Sequence, residues 1–319
     1  MPGIKNQVTA NGMPPATGAL GMLKALAHLT RPLFLAGGII AYSIGALLAR
    51  YEGFIIDLPL YIAGQMAVTS IQLMGHYANE YWDVEYDRPN RNRTFLTGGS
   101  GVLPEGALQR RAALRASLLC ALTALLLMAY LTLIFRIGAI PLILFAAGMA
   151  GTWLYSAPPL SLEKTGYGEL SVALTLSLIL PLLSYVLQAG RISMSAIFVS
   201  APLVPMAWAM IAIFDYPDLQ SDLETGKMTF LARLGCKRTT KIIAAALFCS
   251  YALLIPLLLV GLFTTALLAT LTLPAALLTI VSLRRVTNGS KSYGTLVMLA
   301  LVTFSATAIL EALGLFISA

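Results

Sequence analysis

The sequence predicts an all-α integral membrane protein: nine transmembrane helices, set as two four-helix halves plus one extra helix, around a central cavity with a cytoplasmic cap. Three observations carry this expectation. Charged residues make up 11% of the 319 positions and apolar ones 58%, against roughly 25% and 45–50% in soluble domains. Nine apolar runs approach the ~20 residues that a helix needs to cross a bilayer. Lys and Arg crowd one side of the membrane that those runs define.

Residues 1–22 carry scattered Gly, Pro and Lys and lack the apolar core of a cleavable signal, so they are expected to form a mobile tail ahead of one domain, 23–319. The apolar runs lie near 32–49, 58–78, 112–135, 137–156, 167–188, 192–214, 241–263, 264–283 and 293–317. The halves would be 23–165 and 166–290, with 291–319 as the extra helix. Counted by alternate loops, 18 Lys and Arg fall on one side and only Arg50, Arg136 and Arg191 on the other. By the positive-inside rule the crowded side is cytoplasmic, as in a multi-pass protein of a cell inner membrane, with the N-terminus inside and the C-terminus outside. The net charge of +7 therefore reads as a topology signal, with no nucleic acid partner. Cys120, Cys236 and Cys249 are isolated, which suits packing rather than zinc or disulfides.

The acids are placed as unevenly as the bases. Asn79, Asp83 and Asp87 follow the second run; Asp215, Asp218 and Asp222 follow the sixth. An even number of helices per half puts both clusters on one face, as in parallel repeats. Residues four apart share one side of a helix, about 6 Å apart along its axis. Such rows of like charge repel, and the neighbouring bilayer sharpens the penalty, so a cation should sit between them. Oxygen ligands with few carboxylates per ion suit Mg²⁺, with Mn²⁺ as the alternative, and leave room for phosphate oxygens. Arg88, Arg91, Arg93, Lys164, Lys227 and Arg233 would neutralise the rest of a bound diphosphate.

The spacing N-x-x-x-D-x-x-x-D at Asn79, Asp83 and Asp87, the segment "DLQSDLETGKMTFLARLG" at 218–235 and "YSAPPLSLEKTGYGEL" at 155–170 resemble the UbiA superfamily of intramembrane prenyltransferases, over about residues 24–317. The resemblance implies that Asn79, Asp83, Asp218 and Asp222 hold Mg²⁺ and through it an isoprenyl diphosphate, with Asp87 and Asp215 as further ligands. It implies phosphate contacts from Lys164, Lys227 and Arg233, and an acceptor contact from Arg31, which precedes Pro32. The chain departs from many members at "FDYPD", residues 214–218, where Asn and Arg are usual and Pro217 should kink the helix end. The stretch "TFLTGGSGVLPEG", 94–106, looks like the menaquinone-type, dihydroxynaphthoate branch.

The expected reaction is Mg²⁺-dependent transfer of a polyprenyl group from its diphosphate to an aromatic quinone-precursor acceptor within the membrane. Ring faces attract cations, so Tyr77, Tyr81, Trp82, Tyr155, Trp208 and Tyr216 are candidates to face the allylic cation, Tyr155 foremost. Asp83 or Asp222 would take the acceptor's proton, and His76, one turn before Asn79, would touch the acceptor. "GGSG" at 98–101 lacks the setting of a P-loop and is expected to be a flexible turn in a cap built from 84–110, 156–168 and 219–240. Three alternatives stay open: transfer to a glycerol lipid, terpene cyclisation, and secondary transport. The last is disfavoured because the acids sit at span ends rather than at the midplane.

Overall fold

The computed structural model describes residues 18–319. The expected tail lies outside the described residues up to position 17. Residues 18–22 are a correction: they already belong to a helix, α1 (Gly18–Leu29), whose Ala25 and Leu29 pack with Tyr77, Val84 and Leu103. At ~18 Å this helix is too short to cross a bilayer.

Eleven further helices follow. They are α2 (Pro32–Tyr51), α3 (Leu58–Asp87), α4 (Arg110–Ile134), α5 (Ala139–Ser156), α6 (Gly168–Ala189) and α7 (Met194–Phe214); two short ones, α8 (Leu219–Thr225) and α9 (Phe230–Leu234); and α10 (Cys236–Leu259), α11 (Phe263–Thr287) and α12 (Tyr293–Ser318). Eight of these are long and apolar enough to cross a membrane among the described residues. The second expected span is present as the 30-residue α3 but is not one of the eight, because Gln65, Gln72 and the acids of its last turns dilute its apolar character.

Local chemistry sets the boundaries. Pro32 opens α2, where a missing N–H costs nothing. The Asp57 side chain caps α3 by accepting from Leu60 N at 3.0 Å. Gly190, at φ 72°, closes α6. α6, α7, α10 and α11 are each interrupted, and in each a proline (Pro181, Pro202, Pro256, Pro274) lies at or just past the break. Proline offers no N–H and crowds the carbonyl four residues back; in α6 the ladder adapts through a π turn, Thr175–Ile179.

The helices close into a ring: α2 touches α3, α3 touches α5, and α5, α6, α7, α10, α11 and α12 follow in sequence until α12 returns to α2. α4 packs on the outside of α3 and turns Leu118, Leu122, Leu125 and Leu133 outward, as a lipid-facing helix does. At the α2–α6 crossing a side chain on Gly45 would collide with the Pro181 carbonyl, and such small residues let membrane helices approach closely. Hydroxyl pairs fasten α12: Thr272 to Thr307 at 2.8 Å and Thr279 to Thr303 at 3.0 Å, each contributing about 0.6 kcal/mol.

Candidate active site

One cavity of about 280 Å³ runs between α2, α3, α5, α6 and α7. Its charged end is built first by α3. Because that helix continues unbroken to Asp87, Asn79, Asp83 and Asp87 share a side, and all three line the cavity. Asn79 Nδ2 donates to Asp83 Oδ2 at 3.1 Å, Glu163 Oε2 at 2.9 Å and Ser156 Oγ at 3.2 Å. Lys227 Nζ lies 2.5 Å from Asp83 Oδ2 and 3.5 Å from Glu163 Oε2. Lys164 Nζ is 3.7 Å from Asp83 Oδ1 and rests over the Tyr86 ring.

The second row is broken. α7 stops at Phe214, residues 215–218 form a turn, and α8 restarts at Leu219. Asp215 and Asp218 line the same cavity as the first row. Asp222 does not: it is buried behind them and accepts from Thr229 Oγ1 at 3.4 Å. Asn90 Nδ2, from the loop after α3, donates to Asp218 Oδ1 at 2.7 Å and ties the two rows together. Asp215 Oδ2 has no hydrogen-bond partner.

Burial dominates the electrostatics. It pushes Asp218 up to about 6 against the Asn90 bond, and Asp222 up to about 7 against Lys227. Burial and the neighbouring Glu169 raise Asp215; burial and Asp83 raise Glu163. Burial would lower Lys227, but Asp83 and Glu163 outweigh it and hold the ammonium charged.

Arg31, His76 and Tyr155 also line the cavity. Arg31 Nη2 pairs with Glu80 Oε1 at 2.6 Å, and His76 Nδ1 meets the Thr30 carbonyl oxygen at 2.8 Å, its ring edge-on to Phe34. Glu80 also accepts from the backbone N–H and the hydroxyl of Ser100, both at 2.8 Å. The "GGSG" segment is thus a tied turn rather than a loose one, with Gly98 and Gly99 against the cavity.

Several of the basic residues expected at the phosphates lie away from the cavity. Arg88 is exposed and pairs with Glu85 at 3.1 Å, and Arg91 is exposed too. One residue past Asp87 is a turn of about 100° around the helix, away from the cavity. Arg93 is spent on Glu105 and the Gly98 carbonyl. Arg233 lies exposed and donates to the Met228 carbonyl. Of the six aromatic candidates only Tyr155 lines the cavity. Tyr77 bonds Thr30 and Tyr216 bonds Thr240; Tyr81 stacks under Arg110 and against Trp82; Trp208 packs on Phe230. Glu80, Glu163 and Glu169 were not foreseen. Their one sequence signal is a glutamate beside a motif residue or in a loop that carries one.

The other end of the cavity is apolar, walled by Val68, Ile71, Leu144, Phe145, Ile179 and Leu183. Val68 lies fifteen residues before Asp83 on α3, about 22 Å along the helix.

A hard divalent ion fits the charged end. The donors are oxygens, and Asp83 Oδ1 and Asp215 Oδ2 are buried with no donor on them, each carboxyl lying against another acid, Glu163 and Glu169 respectively. Among the described residues no three His, Cys, Asp or Glu side chains converge into a ready cage. An ion here would take its remaining ligands from phosphate or water, as Mg²⁺ commonly does.

Comparison with known proteins places this geometry. The model of the UbiA prenyltransferase family matches residues 38–314. The chain is 25% identical over 242 residues to a 1,4-dihydroxy-2-naphthoate octaprenyltransferase of Bacillus subtilis (strain 168), covering 75% of each protein. Its fold is similar to the apo structure of a UbiA homolog from Aeropyrum pernix K1, with a TM-score of 0.67 at 18% identity over 89% of this chain and 97% of the other. It is similar also to a UbiA homolog from Archaeoglobus fulgidus bound to GPP and Mg²⁺, with a TM-score of 0.65 at 14% identity over 92% and 99%.

Proposed function

This chain belongs to the UbiA prenyltransferase family, and from that premise we propose that it transfers a polyprenyl group from an isoprenyl diphosphate to an aromatic quinone precursor, with Mg²⁺ bound at the charged end of its cavity. One observation carries the reading: a single cavity joins buried acids and Lys227 at one end to an apolar wall at the other. That is the shape of a diphosphate with a hydrocarbon tail.

Asn79, Asp83, Asp215 and Asp218 would hold the ion, with Asp87 beside them and Asp222 as a buried neighbour. When bound, it supplies neutralisation of the leaving diphosphate as the C–O bond breaks. Lys227 donates to the phosphates and stabilises the same charge in a low-dielectric setting, with Lys164 at the rim. The apolar wall grips the tail at about 0.8 kcal/mol per buried methylene and so fixes the reacting carbon. Tyr155 faces the allylic carbon. Arg31, held by Glu80, and His76 position the acceptor. Of the two aspartates considered for the acceptor's proton, only Asp83 reaches the cavity, so the proton goes there, directly or through water.

The likeness to the Bacillus relative and the 94–106 segment support a dihydroxynaphthoate acceptor. We further propose nine crossings, α3 included, in two halves plus α12, with the N-terminus and the 84–110, 156–168 and 219–240 segments on the cytoplasmic side.

The test incubates purified protein and Mg²⁺ with geranyl, farnesyl or geranylgeranyl diphosphate and either 1,4-dihydroxy-2-naphthoate or 4-hydroxybenzoate, with products identified by mass spectrometry. Prenylated naphthoate is expected, lost with EDTA and restored by Mg²⁺. Radiolabel appearing only in cyclised hydrocarbon, or turnover that continues without metal, would refute the proposal.

A further inference from the structure

Glu163 has no part in the reaction above, and neither does its pairing with Lys227 at 3.5 Å. Glu163 is 2% exposed and comes from a single 3₁₀ turn, Leu162–Lys164, in the loop after α5. A side chain on Gly168 would press on the Glu163 backbone, so this turn is packed tightly in place. One carboxylate oxygen of Glu163 accepts from Asn79, the other receives no donor, and the carboxyl group lies within hydrogen-bond reach of the Asp83 carboxyl. Asp83 repeats the pattern: Oδ2 meets Asn79 and Lys227, while Oδ1 receives no donor and has Lys164 at 3.7 Å, with the Glu163 carboxyl close by. The Lys227 ammonium stands between these two acids.

We propose that Asn79, Asp83 and Glu163 form one divalent-cation position, with Glu163 as a ligand from the α5–α6 loop, and that Lys227 fills this position until the metal arrives. The proposal rests on the Mg²⁺-dependent reading above and deepens it. Two buried carboxyls this close must share a proton or hold a positive charge between them, since an uncompensated buried charge is strongly destabilising. An ammonium meets that need as a compact point charge on a flexible stem, so it can leave when a better counter-charge comes. A divalent ion with the two carboxylates, and with the Asn79 amide turned so that its oxygen replaces the Nδ2 that now faces them, meets it better and keeps open positions for phosphate oxygens. Lys227 lines the cavity and Glu163 does not. An ammonium that leaves Glu163 therefore moves toward where the diphosphate would lie, and the same side chain that held the metal position then neutralises the substrate. The arrangement links the two events: the metal displaces the lysine, and the diphosphate receives it.

The proposal gives Lys227 two opposite effects, which a purely phosphate-binding or purely structural lysine would not have. Mn²⁺ binding to the detergent-purified full-length protein, without substrate, is read by the loss of the free-ion electron paramagnetic resonance signal. Lys227→Met should bind Mn²⁺ more tightly than the unaltered protein, on the order of tenfold, although its affinity for the diphosphate falls. Glu163→Gln should bind Mn²⁺ on the order of tenfold more weakly, and the double variant should lose the gain of Lys227→Met. Equal or weaker Mn²⁺ binding by Lys227→Met overturns the proposal, as does unchanged binding by Glu163→Gln. Should Lys227→Met fail to fold, the Glu163→Gln arm decides alone. Binding that Asp83→Asn abolishes but changes at 163 and 227 leave untouched sinks this proposal and keeps the metal-dependent reaction. No Mn²⁺ binding by any form sinks both.

Discussion

The two acidic rows contain the same kind of residue at related spacings, yet the chain builds them differently. The first sits on an unbroken helix, so just over two turns of α3 present Asn79, Asp83 and Asp87 to one cavity. The second straddles a break between α7 and α8 at Pro217, and only Asp215 and Asp218 reach that cavity while Asp222 turns to Thr229. A row on a continuous helix takes its geometry from the backbone ladder. A row across a break must borrow its geometry from partners, here Asn90 on Asp218 and Lys227 near Asp222. The first row should therefore tolerate change least.

The largest effect is expected at the row fixed by the helix. Asp83→Asn should cut turnover by about 10²–10³-fold, the scale of removing a group that stabilises transition-state charge, with the helical circular dichroism unchanged. Activity within tenfold of the unaltered protein would erase the distinction between the rows. The second row should divide internally. Asp218→Asn, at the cavity, should cost roughly ten times more in kcat/KM than Asp222→Asn, a difference of about 1.4 kcal/mol. Equal losses would show that Asp222 swings into the cavity when substrate binds and that the break in the helix is no handicap.

Much of this contrast between the rows is legible in the sequence. The 3.6-residue period alone puts Asn79, Asp83 and Asp87 on one side, and Pro217 announces the break. Other features were not, for definite reasons. Arg88 and Arg93 are adjacent to the first row in sequence, but one step along a helix is a large rotation, and after the helix ends each arginine takes the nearest acid, Glu85 or Glu105. Glu163 reaches Asn79 across 84 positions, a contact set by how α5 and α6 dock and by no local pattern. α1 escaped notice because its 12 residues are too few for an apolar run. The aromatic candidates misled because an aromatic near a membrane surface has many packing partners, and five of the six found theirs away from the cavity, Tyr77 and Tyr216 by hydroxyl bonds and Tyr81, Trp82 and Trp208 by ring contacts.

A smaller effect should follow from loosening the turn that flanks the first row. Gly99 adopts φ 75°, and a side chain there would collide with the Asp87 carboxylate. Gly99→Ala adds left-handed strain of about 1–2 kcal/mol and pushes Asp87 from its place, so kcat should fall several-fold while the apolar end, and with it tail binding, stays intact. A rise in KM for the diphosphate at constant kcat would instead assign Asp87 to ground-state binding alone.

The smallest effect belongs to a charge that the sequence places beside the first row and the structure removes from it. Arg88 and Glu85 are 60% and 59% exposed and three residues apart, and pairs of this kind contribute about 0.2–1 kcal/mol at most. Arg88→Ala should leave kcat and the diphosphate KM within about twofold and lower thermal stability only slightly. Lys227→Ala, at a position that lines the cavity, should raise the diphosphate KM by roughly tenfold, because it strips a charge-assisted donor from the phosphates. The contrast holds the cation number constant between the two variants and changes only its position. If Arg88→Ala matched Lys227→Ala, net positive potential at the cytoplasmic surface, rather than the placement of one ammonium between Asp83 and Glu163, would govern diphosphate capture. That outcome would also show as a steep fall of kcat/KM with ionic strength in both proteins alike.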